Sequence, residues 1–353
     1  MQPTTVILCC VVLLMAVCCQ DTAAQFVQCR GAEACVNIED CPTFGPHYHE
    51  PAKWTDALRQ EFRKRVCKRE RINGGNAYKV CCQPANDGRK RGLELLDLES
   101  CGPYTEDRIA FGQDARLFQF PWMALLMTRD NRFPCGGTLI AERYVLSAAH
   151  CVLERIVKVR LGEFDISKPI DCDKRGELCA EAPQDIPVEK TISHEDYSRR
   201  YKVNDIALFR LARNAELNDN VAPICLPVNA AMSTKQPVYF VAGWGTTEKD
   251  ITSDRLLFTK LSLVPNAECK ERLKPHEQDI QLYDTQMCAM GTNLTDNCTG
   301  DSGGPLKTIS INARYVQYGV VSYGLRSCGR LSAPGVYARV ESYVPWILQH
   351  LEE

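Results

Sequence analysis

Residues 109–353 read as an all-β body, a barrel or a sandwich, and three observations predict it. Short runs rich in Val, Ile, Leu and Tyr, such as "RYVLSAA", "VYFVAGWG" and "YVQYGVVSYG", recur along the segment. Turn residues punctuate them closely, and no internal repeat or long helical period intervenes. Only the last stretch, "ESYVPWILQHLEE", has the spacing of an amphipathic helix, with Val344, Ile347, Leu348 and Leu351 on one side. Ahead of this body lies a segment too short of apolar residues to fold by packing alone.

The chain starts with "MQPTTVILCCVVLLMAVCCQDTAAQ". Its twelve-residue apolar run, Val6 to Val17, is too short to span a bilayer and is followed by small residues, the pattern of a secretory signal cut after Ala24. The mature protein is therefore expected to be secreted and extracellular. Lys plus Arg number 42 against 44 for Asp plus Glu, so no global field draws the chain to nucleic acid or to an anionic membrane. Of the 20 cysteines, Cys9, Cys10, Cys18 and Cys19 leave with the signal. The sixteen that remain are an even set in an oxidising compartment, so complete pairing is expected.

Six of these cysteines crowd between Cys29 and Cys82 and must staple residues 25–83. Within that segment Trp54, Leu58, Phe62 and Val66 space out one short amphipathic helix. Arg59, Arg63, Lys64, Arg65, Lys68, Arg69 and Arg71 form a basic side, either a docking face or an ordinary solvated surface. Residues 84–108, beginning "PANDGRKRGLELLDLES", have the Pro, Gly and mixed charge of a linker.

Chemistry is concentrated in three local strings. In "CTGDSGGPL", Ser302 stands among Gly300, Gly303 and Gly304, which permit a tight turn that projects the hydroxyl beside backbone N–H groups. A serine needs a base to take its proton and a third group to orient that base. "LSAAHCV" supplies His150 and "NDIALFRL" supplies Asp205.

In that order and in those strings, His150, Asp205 and Ser302 resemble the chymotrypsin family of serine proteases over the whole of 109–353. The resemblance implies two six-stranded antiparallel β-barrels with the triad in the cleft between them, followed by the C-terminal helix. It implies His150 as general base and acid, Asp205 as its orienting carboxylate, Ser302 as nucleophile, and the N–H groups of Gly300 and Ser302 as the oxyanion hole. Asp296 falls where the family places the floor of the specificity pocket, and Ser322, Gly324 and Gly335 where it places the pocket's walls. A carboxylate at the end of such a slot calls for a cation, so cleavage after Arg or Lys is implied. Asn297 and Tyr323 depart from the family's usual residues, a small hydroxyl residue and Trp.

The same resemblance explains an apolar Ile109 in a polar connector. Cleavage after Arg108 would free the amine of Ile109 to pair with Asp301, completing the pocket of a protease made as a zymogen. Here the new terminus reads Ile-Ala-Phe-Gly rather than the family's usual Ile-Val-Gly-Gly. The arginine implies a trypsin-like activating protease upstream. Glu106 and Asp107 are expected to discourage general trypsin-like cutters, self-activation included.

Residues 25–83 resemble a clip domain, the knotted module that precedes the protease in arthropod extracellular cascades. That likeness implies the pairs Cys29–Cys81, Cys35–Cys67 and Cys41–Cys82, one of fifteen arrangements the sequence allows, each contributing about 2–4 kcal/mol. In the protease the resemblance implies Cys135–Cys151, Cys269–Cys288 and Cys298–Cys328, with Cys172–Cys179 closing an extra loop and Cys101–Cys225 tying the segment before Arg108 to the body. "NLT" makes Asn293 a glycosylation candidate. No cofactor is required. Calcium is a candidate at Glu163, where some relatives hold it, against the reading of a merely acidic loop. The implied setting is haemolymph, with prophenoloxidase, a Toll-ligand precursor or another protease zymogen as substrate and a serpin as inhibitor. A non-catalytic clip-domain cofactor is the competing class, opposed by the presence of Ser302.

Overall fold

The structure is a computed structural model describing residues 26–30, 33–41, 43–45, 48, 51–72, 75–82, 87–104, 115–173, 175–229, 232, 237–245, 252–275, 280–291, 301–324 and 333–353. The signal segment, Arg108, Ile109, Asn293, Asp296, Gly300, Cys298 and Cys328 lie outside the described residues. The chain divides between Asp87 and Gly88 into two compact units, each treated by itself.

In the first unit, β1 (Ala34–Asn37), β2 (Val66–Ile72) and β3 (Gly75–Cys82) form a sheet in the order β1-β3-β2. The spacing predicted a helix here, and α1 spans Asp56–Arg65, with the Thr55 hydroxyl accepting from the Leu58 N–H at 3.2 Å as its cap. Phe62 from α1 meets Phe44, Trp54 and Tyr78 edge-on, and Phe44, Cys41, Cys82 and Val80 are buried beneath. Cys29–Cys81, Cys35–Cys67 and Cys41–Cys82 staple this small core.

The basic side of α1 divides in two. Arg59 donates to the carbonyls of Pro51, Ala52 and Trp54, and Arg65 to Glu33, Glu61 and the Cys81 carbonyl. Those two arginines hold the module together. Arg63, Lys64, Lys68 and Arg69 are the exposed ones.

The segment that reads as a linker instead begins the second unit as a packed strap. Helix α2 (Asp87–Glu94) leads to the buried Leu96, and Leu95 and Leu98 lean on the main core. The backbone at Gly92 passes so close to Leu348 that a Cβ there would lie 1.9 Å from the Leu348 carbonyl oxygen. The Gly102 N–H donates to the Pro223 carbonyl at 2.8 Å, and Cys101–Cys225 locks the strap covalently.

Two closed barrels follow. β4 (Met123–Thr128), β5 (Cys135–Ala141), β6 (Tyr144–Ser147), β7 (Ile156–Leu161), β8 (Gln184–Ser193) and β9 (Ala207–Leu211) close in the order β4-β5-β6-β9-β8-β7, with the turn of helix α3 (Ala149–Val152) after β6. β10 (Tyr239–Gly243), β11 (Leu257–Val264), β12 (Gln286–Gly291), β13 (Pro305–Ile309), β14 (Tyr315–Tyr323) and β15 (Gly335–Arg339) close in the order β10-β11-β12-β15-β14-β13, with helix α4 (Asn266–Leu273) after β11. Alternation along β10 shows how the barrels join. Tyr239 and Val241 enter the second barrel's own core, whereas Phe240 and Ala242 join the core shared with the first barrel. Helix α5 (Val340–His350) ends the chain, as its spacing predicted. Its buried face uses Val340, Tyr343, Ile347 and Leu348, so Tyr343 takes the place expected for the half-buried Val344.

One core residue breaks the apolar pattern. Lys307 on β13 is fully buried, its Nζ has no hydrogen-bond partner among the described residues, and it lies 4.1 Å from the centre of the Phe120 ring. Burial pulls its ammonium from 10.5 down to about 7, with Asp301 opposing the shift. The unfolded chain therefore binds more protons than the folded one between about pH 7 and 10.5, and stability rises with pH across that window. Replacing Lys307 by Met should raise the Tm at pH 6, and the gain should shrink as melts are repeated toward pH 10.

Candidate active site

Asp205 precedes β9 and is 4 % exposed, so its carboxylate needs partners that replace water. Three donors meet it. The His150 N–H donates to Oδ1 at 2.9 Å, His150 Nδ1 lies 2.8 Å from Oδ2, and the Ser322 hydroxyl donates to Oδ2 at 2.6 Å. His150 lies in α3 of the first barrel, whereas Ser322 comes from β14 of the second, so the carboxylate joins the two. Burial of the Tyr197 phenol, with the Asp205 charge nearby, raises it to about 12.

The turn before Asp205 is shaped for it. Asn204 adopts φ 55°, a left-handed conformation that asparagine tolerates better than most residues. Its amide donates to the Asp196 carbonyl at 3.0 Å, and its side-chain oxygen accepts from the Tyr343 hydroxyl at 2.9 Å. Neither contact is readable from the string "NDIALFRL". An asparagine before a strand is the one sequence signal for such a turn.

Ser302 follows from the opposite side. Its carbonyl accepts from the Gly136 N–H at 2.8 Å, while the Gly303 N–H donates to the Val321 carbonyl at 2.9 Å. Gly303 has φ 80°, and a Cβ there would lie 2.1 Å from Ser147 Oγ, so only glycine fits the turn that presents Ser302. The Cys135–Cys151 bridge completes the frame, because Cys151 follows His150 and Cys135 precedes Gly136. It links the turn carrying the histidine to the strand gripping the serine.

Beside Ser302, Asp301 Oδ1 accepts from the Gly245 N–H at 3.0 Å. A Cβ on Gly243 would lie 2.0 Å from the same oxygen, so the two glycines of "VAGWG" cradle the carboxylate. Of the predicted pocket walls, Gly324 faces Gly335, a Cβ on the former lying 3.9 Å from the Cα of the latter. Ser322, expected on that wall, turns its hydroxyl to Asp205. Cys172–Cys179 and Cys269–Cys288 are joined as well.

In the acidic loop at Glu163 the carboxylates have partners within the chain. Oε1 of Glu163 accepts from the Phe164 N–H, and Oε2 faces Arg160 Nη1 at 3.3 Å. Asp171 Oδ2 accepts from the Phe164 and Asp165 N–H groups, and Arg160 also pairs with Asp185. Burial, with Asp171 beside it, raises the Glu163 carboxyl, and Arg160 opposes that shift. Among the described residues the clusters with metal-ligand spacing are Cys29, Cys35, Cys67 and Cys135, His150, Cys151, whose sulfurs are all in disulfides. The Glu163 and Asp171 carboxylates are thus taken up by backbone N–H groups and by Arg160.

Residues 109–347 match the family model described as trypsin. The chain belongs to the trypsin family of serine proteases, as a clip-domain member. It is 35 % identical to "Serine protease grass" of Drosophila melanogaster across 91 % of this chain and 87 % of that one. It is 38 % identical to "Phenoloxidase-activating factor 3" of Holotrichia diomphalia, covering 90 % of each, and 36 % identical to "Spaetzle-processing enzyme" of Drosophila melanogaster, covering 90 % of this chain and 88 % of that one. Among solved structures it superposes on the crystal structure of the Drosophila Grass clip serine protease of the Toll pathway with a TM-score of 0.67 at 34 % identity, covering 90 % of this chain and 94 % of that one. Among the described residues of this clip-domain protease, no helix is long and apolar enough to cross a membrane.

A methyl group on Gly243 must displace the Asp301 carboxylate. Gly243→Ala is expected to lower kcat of the processed protease about 10²-fold, the scale of a misplaced catalytic group, as read on a peptide anilide ending in Arg.

Proposed function

We propose that this protease is a secreted endopeptidase, made as a zymogen, that cleaves protein substrates after Arg or Lys in an extracellular insect immune cascade leading to prophenoloxidase activation and melanisation. The observation that carries the catalytic part is the buried Asp205, which holds His150 through Nδ1 and leaves Nε2 as the nitrogen for Ser302. His150 takes the Ser302 proton as the hydroxyl attacks the scissile carbonyl, then gives it to the leaving amine. Water reverses the sequence on the acyl-enzyme. Asp205 keeps the imidazole in the tautomer that makes this transfer productive, and the amides of Gly300 and Ser302 receive the developing oxyanion. Asp296 at the pocket floor is the counter-charge for the substrate's Arg or Lys.

In the zymogen, Ile109 is an internal residue. Hydrolysis after Arg108 by a trypsin-like protease frees its amine, which inserts and pairs with Asp301 in the Gly243–Gly245 cradle. Cys101–Cys225 and the packed strap keep the clip domain attached afterwards. A serpin is the expected inhibitor, Asn293 the expected glycosylation site, and haemolymph the expected compartment.

A second reading is favoured by the relatives named for Toll signalling and for processing Spaetzle: a mid-cascade protease whose substrate is another zymogen or a Toll-ligand precursor. A non-catalytic cofactor is disfavoured by Ser302 and its held partners. Active-site titration of the protein processed after Arg108 separates these classes. One titratable serine per chain is expected, and Ser302→Ala should remove it and lower kcat by about 10⁶. No titratable serine in the processed protein overturns the enzyme reading, and faster cleavage after Phe or Leu than after Arg overturns the pocket assignment.

A further inference from the structure

Two histidines stand against Trp346 of the C-terminal helix. His194, which directly follows β8, stacks on the indole with ring centres 5.2 Å apart, and His350, the last residue of α5, lies 4.7 Å from it. Both imidazoles are half-buried. Glu195 joins them from the rim. One of its oxygens accepts from the Trp346 Nε1–H at 2.9 Å, and the other lies 3.2 Å from His350 Nε2.

The two rings are used in opposite ways. His350 Nδ1 lies 2.8 Å from the Trp346 carbonyl and its Nε2 faces Glu195, so each nitrogen faces an acceptor. His194 Nδ1 is instead the acceptor, taking the Asp196 N–H at 3.2 Å, so that nitrogen carries no proton. A proton placed there would meet the N–H head-on. The charged and titratable groups around the ring are Glu195, with Oε2 at 3.9 Å, Asp196, His350 and the edge of Tyr343. Burial, joined by the His350 charge, pulls the His194 imidazolium below its ordinary 6.5, while Glu195 and Asp196 oppose that shift.

The bond from His194 starts a short path to the catalytic carboxylate. Asp196, whose N–H the imidazole binds, accepts through its carbonyl from the Asn204 amide at 3.0 Å. Asn204 is the left-handed residue immediately before Asp205. The His194 N–H donates at 3.1 Å to the carbonyl of Ile206, immediately after Asp205. His194 therefore holds both sides of the residue that orients His150. We infer that neutral His194 is a positioning residue for catalysis, which fixes the turn presenting Asp205 and releases that turn when it is protonated. This rests on the catalytic reading above and gives the enzyme a second acid-side titration besides that of His150. The folded chain takes up the His194 proton less readily than the unfolded one. The grip is thus complete above about pH 6.5 and is lost as pH falls through the lower folded value.

The test is kcat/KM of the full-length protease processed after Arg108, on a peptide anilide ending in Arg, from about pH 4.5 to 8.5. If His150 alone titrates, log kcat/KM falls toward acid with a slope of one. Wild type should fall below that line by a further three- to tenfold, roughly the loss of one hydrogen bond. His194→Asn should follow the one-proton line, because its side-chain oxygen accepts the N–H two residues on and does not titrate. His350→Gln removes a charge that opposes protonation of His194, so it should move the steeper limb to higher pH. A merely structural histidine would lower the profile without changing its shape. Should His194→Asn fail to fold, His350→Gln decides alone. A one-proton profile in wild type, a steep limb kept by His194→Asn, or a limb unmoved in His350→Gln overturns the inference. Wild type inactive at every pH overturns the catalytic reading and this inference with it.

Discussion

A carboxylate as buried as Asp205 is costly in an apolar interior unless donors surround it, and here the donors come from both barrels. The backbone N–H and ring nitrogen of His150 arrive from the first barrel, and the Ser322 hydroxyl from the second. The active cleft thus exists where it does because one charge is satisfied only when the barrels are docked. The apolar interface supplies the bulk of the docking, with Phe240, Ala242 and Tyr315 inserted into the shared core. Asp205 makes the docking specific, since an inter-barrel shift of an ångström or so would lengthen hydrogen bonds of 2.6–2.9 Å past useful range.

Around that charge the chain uses covalent and steric devices to fix the serine. The Cys135–Cys151 bridge, the Gly136–Ser302 hydrogen bond and the obligatory glycine at 303 leave the nucleophile's backbone little freedom. Asp301, immediately before it, is gripped by a backbone N–H and by the absence of side chains at 243 and 245. Motion of the Asp301 carboxylate would therefore be transmitted directly to Ser302.

The fold class was legible, as was the pairing of His150 with Asp205, because the signals for both are encoded locally. His150, Asp205 and Ser302 sit in short strings, and strand alternation repeats every two residues whatever the tertiary context. What was not legible depends on neighbours distant in the chain. Residues 88–104 carry linker composition, yet Leu96 is buried in the main core and the Gly92 backbone lies against Leu348 of the C-terminal helix. The basic side of α1 looked uniform, although Arg59 and Arg65 are committed to carbonyls and carboxylates of the same module while Arg63, Lys64, Lys68 and Arg69 are exposed. Tyr343 outranks Val344 on α5 because its hydroxyl finds Asn204, a partner no periodicity reveals. Glu163 faces Arg160 Nη1 at 3.3 Å, a pairing that the acidic composition of the loop does not reveal.

The two unusual lysines show how place decides what a charge does. Lys307 is sealed in the core against Phe120, and burial works against its ammonium form. Lys202 rests on an aromatic ring as well, that of Tyr323, but in a half-exposed loop.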